Sequence, residues 1–528
     1  MAATSGRVAT SGVSMTRWGS GLAVLAGLLM LGLPAVAAQR NVLLVIADDV
    51  GADSLALFNT NATASFPPTP TLDALSTSGV RFLNAYAQPT CSPTRMAILT
   101  GRYGFRTGVG YAIIPPGDPQ LPSGEVTLPE LLAAHSGHRH ACVGKWHMSF
   151  TNTTPNTLGG FSHFSGALQG ALPDYNAWNK VVNGVATTGY AVYATTDNAN
   201  DAISWINGQG TNSWFLWLAF NAGHTPLHKP PNELHSSDGL PGTQIHINNN
   251  PRRYFEAMVE AMDTELGRVL TNVSLTNTTV IFIGDNGSTG QTIQPPYAAG
   301  RAKGSLYEGG IRVPFLIAGA GVTSPNRTST NLVHVVDLHS TIIELAGVNV
   351  ATAHSNRVVD SRTLTPILNN LPETNARVVL AENFSSSLTN TVAGRALLDG
   401  RYKLIQFRNG TSELYDLVSD YLEATNLLAG AVNATQQAAY DALVLQSAAW
   451  QPRPVLTNAA NSGGQFTLRF TPVQQYGYTL ERRDTAADGA WLSVTSVTPT
   501  SSDVTLQLRD TFTGATNRFH RVQVAVPY

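Results

Sequence analysis

Two short acidic pairs, Asp48-Asp49 and Asp285-Asn286, each follow a run of apolar residues. Together they offer four hard oxygen donors, a set that suits Ca²⁺ or Mg²⁺ better than zinc. An aspartate after a strand often only caps a turn, so it is the repetition of the arrangement that favours a metal. The segment Cys91-Ser92-Pro93-Thr94-Arg95 is the third feature. Proline is favoured in a first helical turn, so a helix beginning near Pro93 puts Cys91 at its N-terminus, where partial positive charge favours anions. The second cysteine, Cys142, sits in the apolar run Ala141-Cys142-Val143. The residues alone leave two states open: a Cys91–Cys142 disulfide, or two free thiols with Cys142 buried.

The elements that must position these groups are legible from periodicity. Asn41 to Ala47, Thr279 to Gly284 and Trp214 to Phe220 are near-continuous apolar runs. Strands apolar on both faces imply a parallel or mixed sheet covered by helices on each side, the α/β class. Arg253 to Leu270 and Leu338 to Leu345 carry helical spacing. In open α/β sheets ligands bind beyond the carboxyl ends of the strands, where both acidic pairs fall. After Pro452 short alternating runs take over, around Phe466, Leu468 and Phe470, then Tyr478 and Leu480, Val504 to Leu508, and Val522 to Val526. They predict a small antiparallel β-sandwich over about 455–528, with Asn458 to Gly464 as a linker or first turn.

The chain has 528 residues, 43% apolar and 12% charged, with a formal net charge of −2. That composition excludes global disorder and lacks the basic footprint of a nucleic-acid binder. Two cysteines exclude a disulfide scaffold and a thiolate metal cluster. Of 32 basic residues only five are lysines: Lys145, Lys180, Lys229, Lys303 and Lys403. Arg17, the apolar stretch Gly21 to Leu33 and the small residues Ala35 to Ala38 read as a secretory signal cleaved near Ala37 or Ala38. The apolar stretch is shorter than the ~20 residues that span a bilayer. The mature chain is therefore expected to be secreted or periplasmic, with no transmembrane segment. His135, His138 and His140 cluster in sequence without a nearby carboxylate and read as a helix end and loop rather than a metal site. Asn-x-Ser/Thr sequons at Asn61, Asn272, Asn277, Asn286, Asn326, Asn383, Asn409 and Asn433 matter only where a host glycosylates.

Cys91-x-Pro93-x-Arg95 followed by Leu99-Thr100-Gly101-Arg102 resembles the modification signature of the type I sulfatases, members of the alkaline-phosphatase-like superfamily. Further segments are similar to that family and follow in its order. They are Gly144-Lys145-Trp146-His147, His224-Thr225-Pro226, Lys303 through Pro314, Arg401 to Leu404, and Glu413 to Leu417. The resemblance covers about 41–430. Thr94 stands where the family most often has Ser or Ala, and Ala222-Gly223 stands where Ala-Pro is more usual.

The resemblance implies an alkaline-phosphatase-like sulfatase domain over 39–451, with a C-terminal subdomain from about 375 to 451. It implies that a formylglycine-generating enzyme converts Cys91 to formylglycine, whose hydrated aldehyde attacks sulfur. The implied metal ligands are Asp48, Asp49, Asp285, Asn286 and residue 91, for Ca²⁺ with Mg²⁺ as the alternative. It gives Arg95 a holding role toward formylglycine and the ligand carboxylates, and Lys145 and Lys303 contacts to sulfate oxygens. His224 with Lys303 would protonate the leaving group, His147 would assist collapse of the sulfated diol, and Asp285 would accept the nucleophile's proton. A further sulfate contact is expected from Ser162, His163 or Ser165, and His228 would shape the substrate or pack. The implied activity is hydrolysis of sulfate monoesters on a small molecule or glycan, with a carbohydrate the favoured substrate. The rival readings are a phosphoester or phosphonate monoester hydrolase on the same scaffold, and an inactive glycan-binding descendant.

Overall fold

Side chains alternate between two apolar layers along the strand Asn41–Ala47. Val42, Leu44 and Ile46 face one layer with Ile98, Leu338 and Ile342. Leu43, Val45 and Ala47 face the other with Tyr254, Phe255 and Met258. Both faces are covered by helices, which is why the strand reads as unbroken hydrophobicity. The computed structural model describes residues 40–528, except 116, 374–375, 386–387, 390, 452–454, 463, 484–489, 502–503, 512–517 and 526–528. The expected secretory signal lies outside the described residues.

The main sheet has ten strands. Across it run Arg327–Ser329, Gly79–Phe82, Phe315–Gly319, Thr278–Gly284, Asn41–Ala47, Trp214–Ala219, Arg139–Lys145, His163–Ala167, Trp178–Val182 and Val185–Tyr190. The five from Thr278–Gly284 to His163–Ala167 are mutually parallel. Phe315–Gly319 and Trp178–Val182 join them antiparallel, so the sheet is mixed. Helices Cys91–Thr100, Leu128–His135 and Asp337–Leu345 contribute to one layer, and Ala194–Asn207 and Pro251–Leu270 to the other.

A second, antiparallel sheet follows, made of Val379–Asn383, Gly394–Leu398, Tyr402–Phe407 and Ser412–Asp416. The last six strands form two antiparallel three-stranded sheets. Leu468, Phe470, Tyr478, Leu480 and Leu508 of these sheets share one apolar cluster with Leu380, Leu397, Leu404 and Leu443. The segment expected as a linker or first turn, Asn458 to Gly464, is largely strand instead: Val455–Ser462 pairs antiparallel with Gln465–Thr471. Asn458 to Ser462 are exposed, so backbone pairing holds this strand and no hydrophobic alternation announces it. Leu492–Val497 is a further strand that the pattern did not reveal. Of the residues expected as a further sulfate contact, His163 and Ser165 lie on the strand His163–Ala167.

Candidate functional site

Three of the parallel strands deliver polar residues to one crevice at their carboxyl ends, and the helix Cys91–Thr100 opens into it. Asp48 and Asp49 follow Asn41–Ala47, Asp285 and Asn286 follow Thr278–Gly284, and Lys145 ends Arg139–Lys145. The backbone is cross-tied there: Asp48 N–H donates to Ala222 O at 3.0 Å and Asp285 N–H to Ala47 O at 3.1 Å. Asp49 has a left-handed backbone, φ 60°, and its N–H donates to Asp285 Oδ1 at 3.1 Å.

Charges alternate across the crevice. Arg95 is fully buried and grips Asp285 Oδ2 through Nη2 at 2.8 Å and Nε at 3.2 Å. Its Nη1 donates to Lys145 O at 2.9 Å. Lys145 Nζ meets Asp48 Oδ2 at 2.6 Å, and Lys303 Nζ donates to Asp49 Oδ1. Asn286 Nδ2 donates to the same Asp49 oxygen at 2.9 Å. Cys91 Sγ lies 3.0 Å from His147 Nδ1, and His147 Nε2 lies 3.0 Å from Ile113 O. His224 Nε2 approaches Asp49 Oδ2 to 3.7 Å.

This crowding sets the ionisation. Burial pushes Asp48 well above the usual carboxylate range; Asp285 and Asp49 add to that, while Lys145 and Arg95 oppose it. Asp49 is also buried, but Lys303, His224 and Lys145 outweigh that and hold it far below the usual range. Burial likewise opposes ionisation of Asp285, and Arg95 and Lys145 overcome it. Burial, reinforced by Lys145, keeps His147 neutral. His224 is pushed down to about 3, by burial first and against the pull of Asp49. Buried carboxylates this close oppose one another's charge, a cost that a bound cation removes.

Three buried oxygens in the crevice, Asp48 Oδ1, Asp49 Oδ2 and Asn286 Oδ1, have no hydrogen-bond partner. A buried acceptor left unmade is costly, so their convergence calls for a ligand. Donor atoms of Asp48, Cys91 and Asp285 lie within 4.8 Å of one another, as do those of Asp48, Asp49 and His224. Hard oxygen donors gathered in this way fit a Ca²⁺ or Mg²⁺ ion.

All ten residues singled out for chemistry thus meet in one place. For the other candidate residues the structure decides between open alternatives or overturns the expectation. Cys91 and Cys142 are both free and buried, so there is no disulfide between them. Ser162, His163 and Ser165 are engaged elsewhere. Ser162 N–H donates to His140 Nδ1, Ser165 Oγ pairs with Asp201, and His163 Nδ1 bonds Asn183 Nδ2. His140 lies on the strand Arg139–Lys145 rather than in a loop, and His138 Nε2 bonds Arg40 O at 2.9 Å. His228 packs: its ring stacks on Tyr175 with centroids 4.2 Å apart, and Nε2 bonds Tyr193 Oη at 3.0 Å. The sequons at Asn286 and Asn383 are fully buried in this fold and closed to glycosylation.

The structure also adds residues that sequence reasoning missed. Ser92 Oγ donates to His147 O at 2.8 Å and accepts from Ile113 N–H at 3.1 Å. The single Tyr175 O–H is shared between Asn221 O at 2.5 Å and His224 O at 2.8 Å, fixing the loop that carries His224. Asn383 Nδ2 donates to Gly304 O at 2.6 Å, next to Lys303. Ser92 was findable as the spacer beside Cys91; Ile113 acts through its backbone and leaves no mark in residue type.

The fold and crevice define a class: a mixed-sheet α/β protein with a buried, cation-seeking site built around a cysteine at a helix N-terminus. The Sulfatase family model matches residues 40–348, and a model described as N-sulphoglucosamine sulphohydrolase, C-terminal, matches residues 302–446. The chain belongs to the sulfatase family, whose members are sulfuric ester hydrolases. Arylsulfatase J of Mus musculus is 30% identical over 58% of this chain, which spans 52% of that relative's length. Arylsulfatase G of Rattus norvegicus is 26% identical over 71% of this chain and 77% of its own. Human N-acetylgalactosamine-6-sulfatase is 29% identical over 62% and 65%. Among solved structures, Ps i-CgsB in complex with k-i-k-neocarrahexaose has a TM-score of 0.65 at 23% identity, covering 78% of this chain and 92% of its own. BT4656 in complex with D-glucosamine-2-N,6-O-disulfate scores 0.61 at 19% identity, covering 78% and 97%. At those identities the likeness bears on fold alone. Among the described residues no helix is long and apolar enough to cross a membrane.

Proposed function

We propose that this protein is an exported sulfatase. It hydrolyses a sulfate monoester, ROSO₃⁻ plus water giving the alcohol, sulfate and a proton, and its substrate is a carbohydrate. Its nucleophile is formylglycine made from Cys91, and its metal is Ca²⁺, with Mg²⁺ as the alternative, at Asp48, Asp49, Asp285 and Asn286. Two facts carry this reading: buried oxygens of Asp48, Asp49 and Asn286 are left without hydrogen-bond partners, and a donor atom of Cys91 lies within 4.8 Å of carboxylate oxygens of Asp48 and Asp285. The name of one sequence relative, human N-acetylgalactosamine-6-sulfatase, supports the substrate class.

Each side chain has a task set by where it sits. A divalent cation would supply charge neutralisation for sulfate oxygens and acidify an attacking hydroxyl. A hydrated aldehyde at position 91 would supply that hydroxyl, with the second hydroxyl giving sulfate its exit. Arg95, buried and bidentate on Asp285, keeps that carboxylate ionised and oriented toward residue 91. Lys145 and Lys303 neutralise Asp48 and Asp49; with a cation held by those carboxylates, the two ammonium groups would be available to sulfate oxygens. His224 is neutral in this environment, and an incoming anion raises its affinity for the proton that it passes, with Lys303, to the leaving oxygen. His147 holds its ring between residue 91 and Ile113 O, so that Nδ1 receives a proton from position 91. The basic groups gather around a single anion, and so a near-neutral chain binds one.

Mass spectrometry of the peptide containing Cys91, from protein made with a formylglycine-generating enzyme, tests the nucleophile. Aldehyde at position 91 is the expected result, and unmodified cysteine in fully active protein would sink the mechanism. Parallel turnover of 4-nitrophenyl sulfate and 4-nitrophenyl phosphate separates sulfatase from phosphoester hydrolase; preference for phosphate reverses the assignment. Binding of a sulfated glycan without any turnover would favour the inactive descendant.

A further inference from the structure

We infer that the C-terminal sandwich is a working part of the active-site wall, and that Gln474 is a positioning residue for His147. The inference rests on the sulfatase reading for its catalytic consequence, though not for its structural one. Gln474 is 3% exposed and lies in the connection between the strands Gln465–Thr471 and Gly477–Arg483. Its Nε2 donates to Thr107 O at 3.0 Å and to Gln120 O at 3.1 Å. A glutamine amide has two N–H donors, and here the two carbonyls that flank a single loop, 108–119, take both.

That loop reaches the catalytic crevice. At its centre Ile113 O faces His147 Nε2, and Ile113 N–H donates to Ser92 Oγ, beside Cys91. Just past its end, Leu121 N–H donates to Met148 O at 2.9 Å. At its start Gly108 has φ 77°, and a Cβ there would come within 2.2 Å of Gln474 Cγ, so the close approach requires glycine. Tyr476, fully buried in the same connection, meets Phe384 edge-on at 5.9 Å, and Phe384 N–H donates to Gly110 O at 3.1 Å. The sandwich therefore closes the loop at both ends, and the closed loop presents the carbonyl that orients the His147 ring. With Nε2 donating to Ile113 O, the Nδ1 lone pair is left for position 91. A loop free at its ends would drift from that geometry, and misplacement on the ångström scale is expensive at a reacting centre.

The test uses the full chain with Gln474→Met, which keeps volume and loses both donors, and Gln474→Glu, which turns acceptors toward both carbonyls. Thr479→Ala, on the neighbouring strand, is the control. Amide exchange in peptides spanning 108–121 should accelerate at least about tenfold in both variants, with exchange in the main sheet unchanged. With 4-nitrophenyl sulfate, kcat should fall about ten- to hundredfold while KM stays within about twofold. Thr479→Ala should match the wild type in both measurements. Wild-type exchange at 108–121 in both Gln474 variants would overturn the inference, as would a kcat loss that only mirrors a smaller folded fraction. Wild-type protein without sulfate turnover would defeat the proposed function while the exchange measurement still judged the clasp.

Discussion

Two buried clusters of acids and lysines lie in this molecule, built from the same residue types to opposite ends. Beneath the second sheet, Lys403 Nζ sits 3.1 Å from Glu308 Oε1 and 2.6 Å from Glu423 Oε1. Tyr86 Oη donates to Glu308 Oε2, and Glu308 N–H donates to Glu423 Oε2. Glu423 Oε1 accepts no well-aligned hydrogen bond, but the Lys403 ammonium lies against it, so each carboxylate oxygen there meets a donor or a cation. In the crevice at the strand ends the acids also have cations beside them, yet Asp48 Oδ1, Asp49 Oδ2 and Asn286 Oδ1 stay unpartnered. A closed cluster joins two layers and is complete without a ligand. An open one keeps unmet electrostatic demand in a water-poor site, which is the condition for binding a cation and an anion.

Breaking the open cluster at Cys91, the proposed nucleophile, should have the largest effect. Cys91→Ala is expected to lower kcat by at least about 10³-fold with little change in melting temperature; initial rates and a thermal scan measured together check both halves. Next comes the closed cluster. Lys403→Met strands two buried carboxylates, so chemical denaturation should show a loss of about 3–5 kcal/mol. The folded fraction should retain wild-type activity; lost turnover with intact stability would erase the distinction between the clusters.

Cation binding sharpens the contrast at the next scale. Ca²⁺ at about 100 times its Kd should stabilise the wild type and Lys403→Met by ~2.7 kcal/mol. Asn286→Leu, which removes one of the unpartnered oxygens, should lose most of that gain, as calcium titrations followed by thermal unfolding would reveal.

The smallest effect is an acid one outside both clusters. His140 is pushed down to about 4, chiefly by burial, and its Nδ1 accepts from Ser162 N–H. The unfolded chain takes up this proton at higher pH than the native one. The histidine's contribution is therefore intact above about 6.5 and lost as pH falls from there through 4, with about 2 kcal/mol gone by pH 5. Unfolding at pH 5 and 7.5 should show a shallower acid loss for His140→Gln than for the wild type.

Much of the site could be read before any coordinates. The strands ending at Ala47 and Gly284 announce themselves because both faces are buried, and the acids after them fall at carboxyl ends by the logic of the α/β sheet. The cysteine motif and the two motif lysines, scarce in this chain, pointed to one anion. Contacts set by shape rather than by residue type were harder to see. Ser162, His163 and Ser165 looked suitable by composition, yet the strand His163–Ala167 turns them toward His140, Asn183 and Asp201. The strand Val455–Ser462 is held by backbone pairing, which carries no hydrophobic period.

Taken alone, the sequence determined which groups could react and that they belong to strand ends and a helix start, because periodicity and local geometry act over a few residues. Tertiary structure decided which buried oxygens lack partners, which of two lysine–acid clusters is closed, that both cysteines stay free, and that Gln474 reaches back across more than 350 residues to Thr107. These depend on long-range packing and on the fixed number of donors and acceptors each buried group can satisfy, and neither quantity is written in local order along the chain.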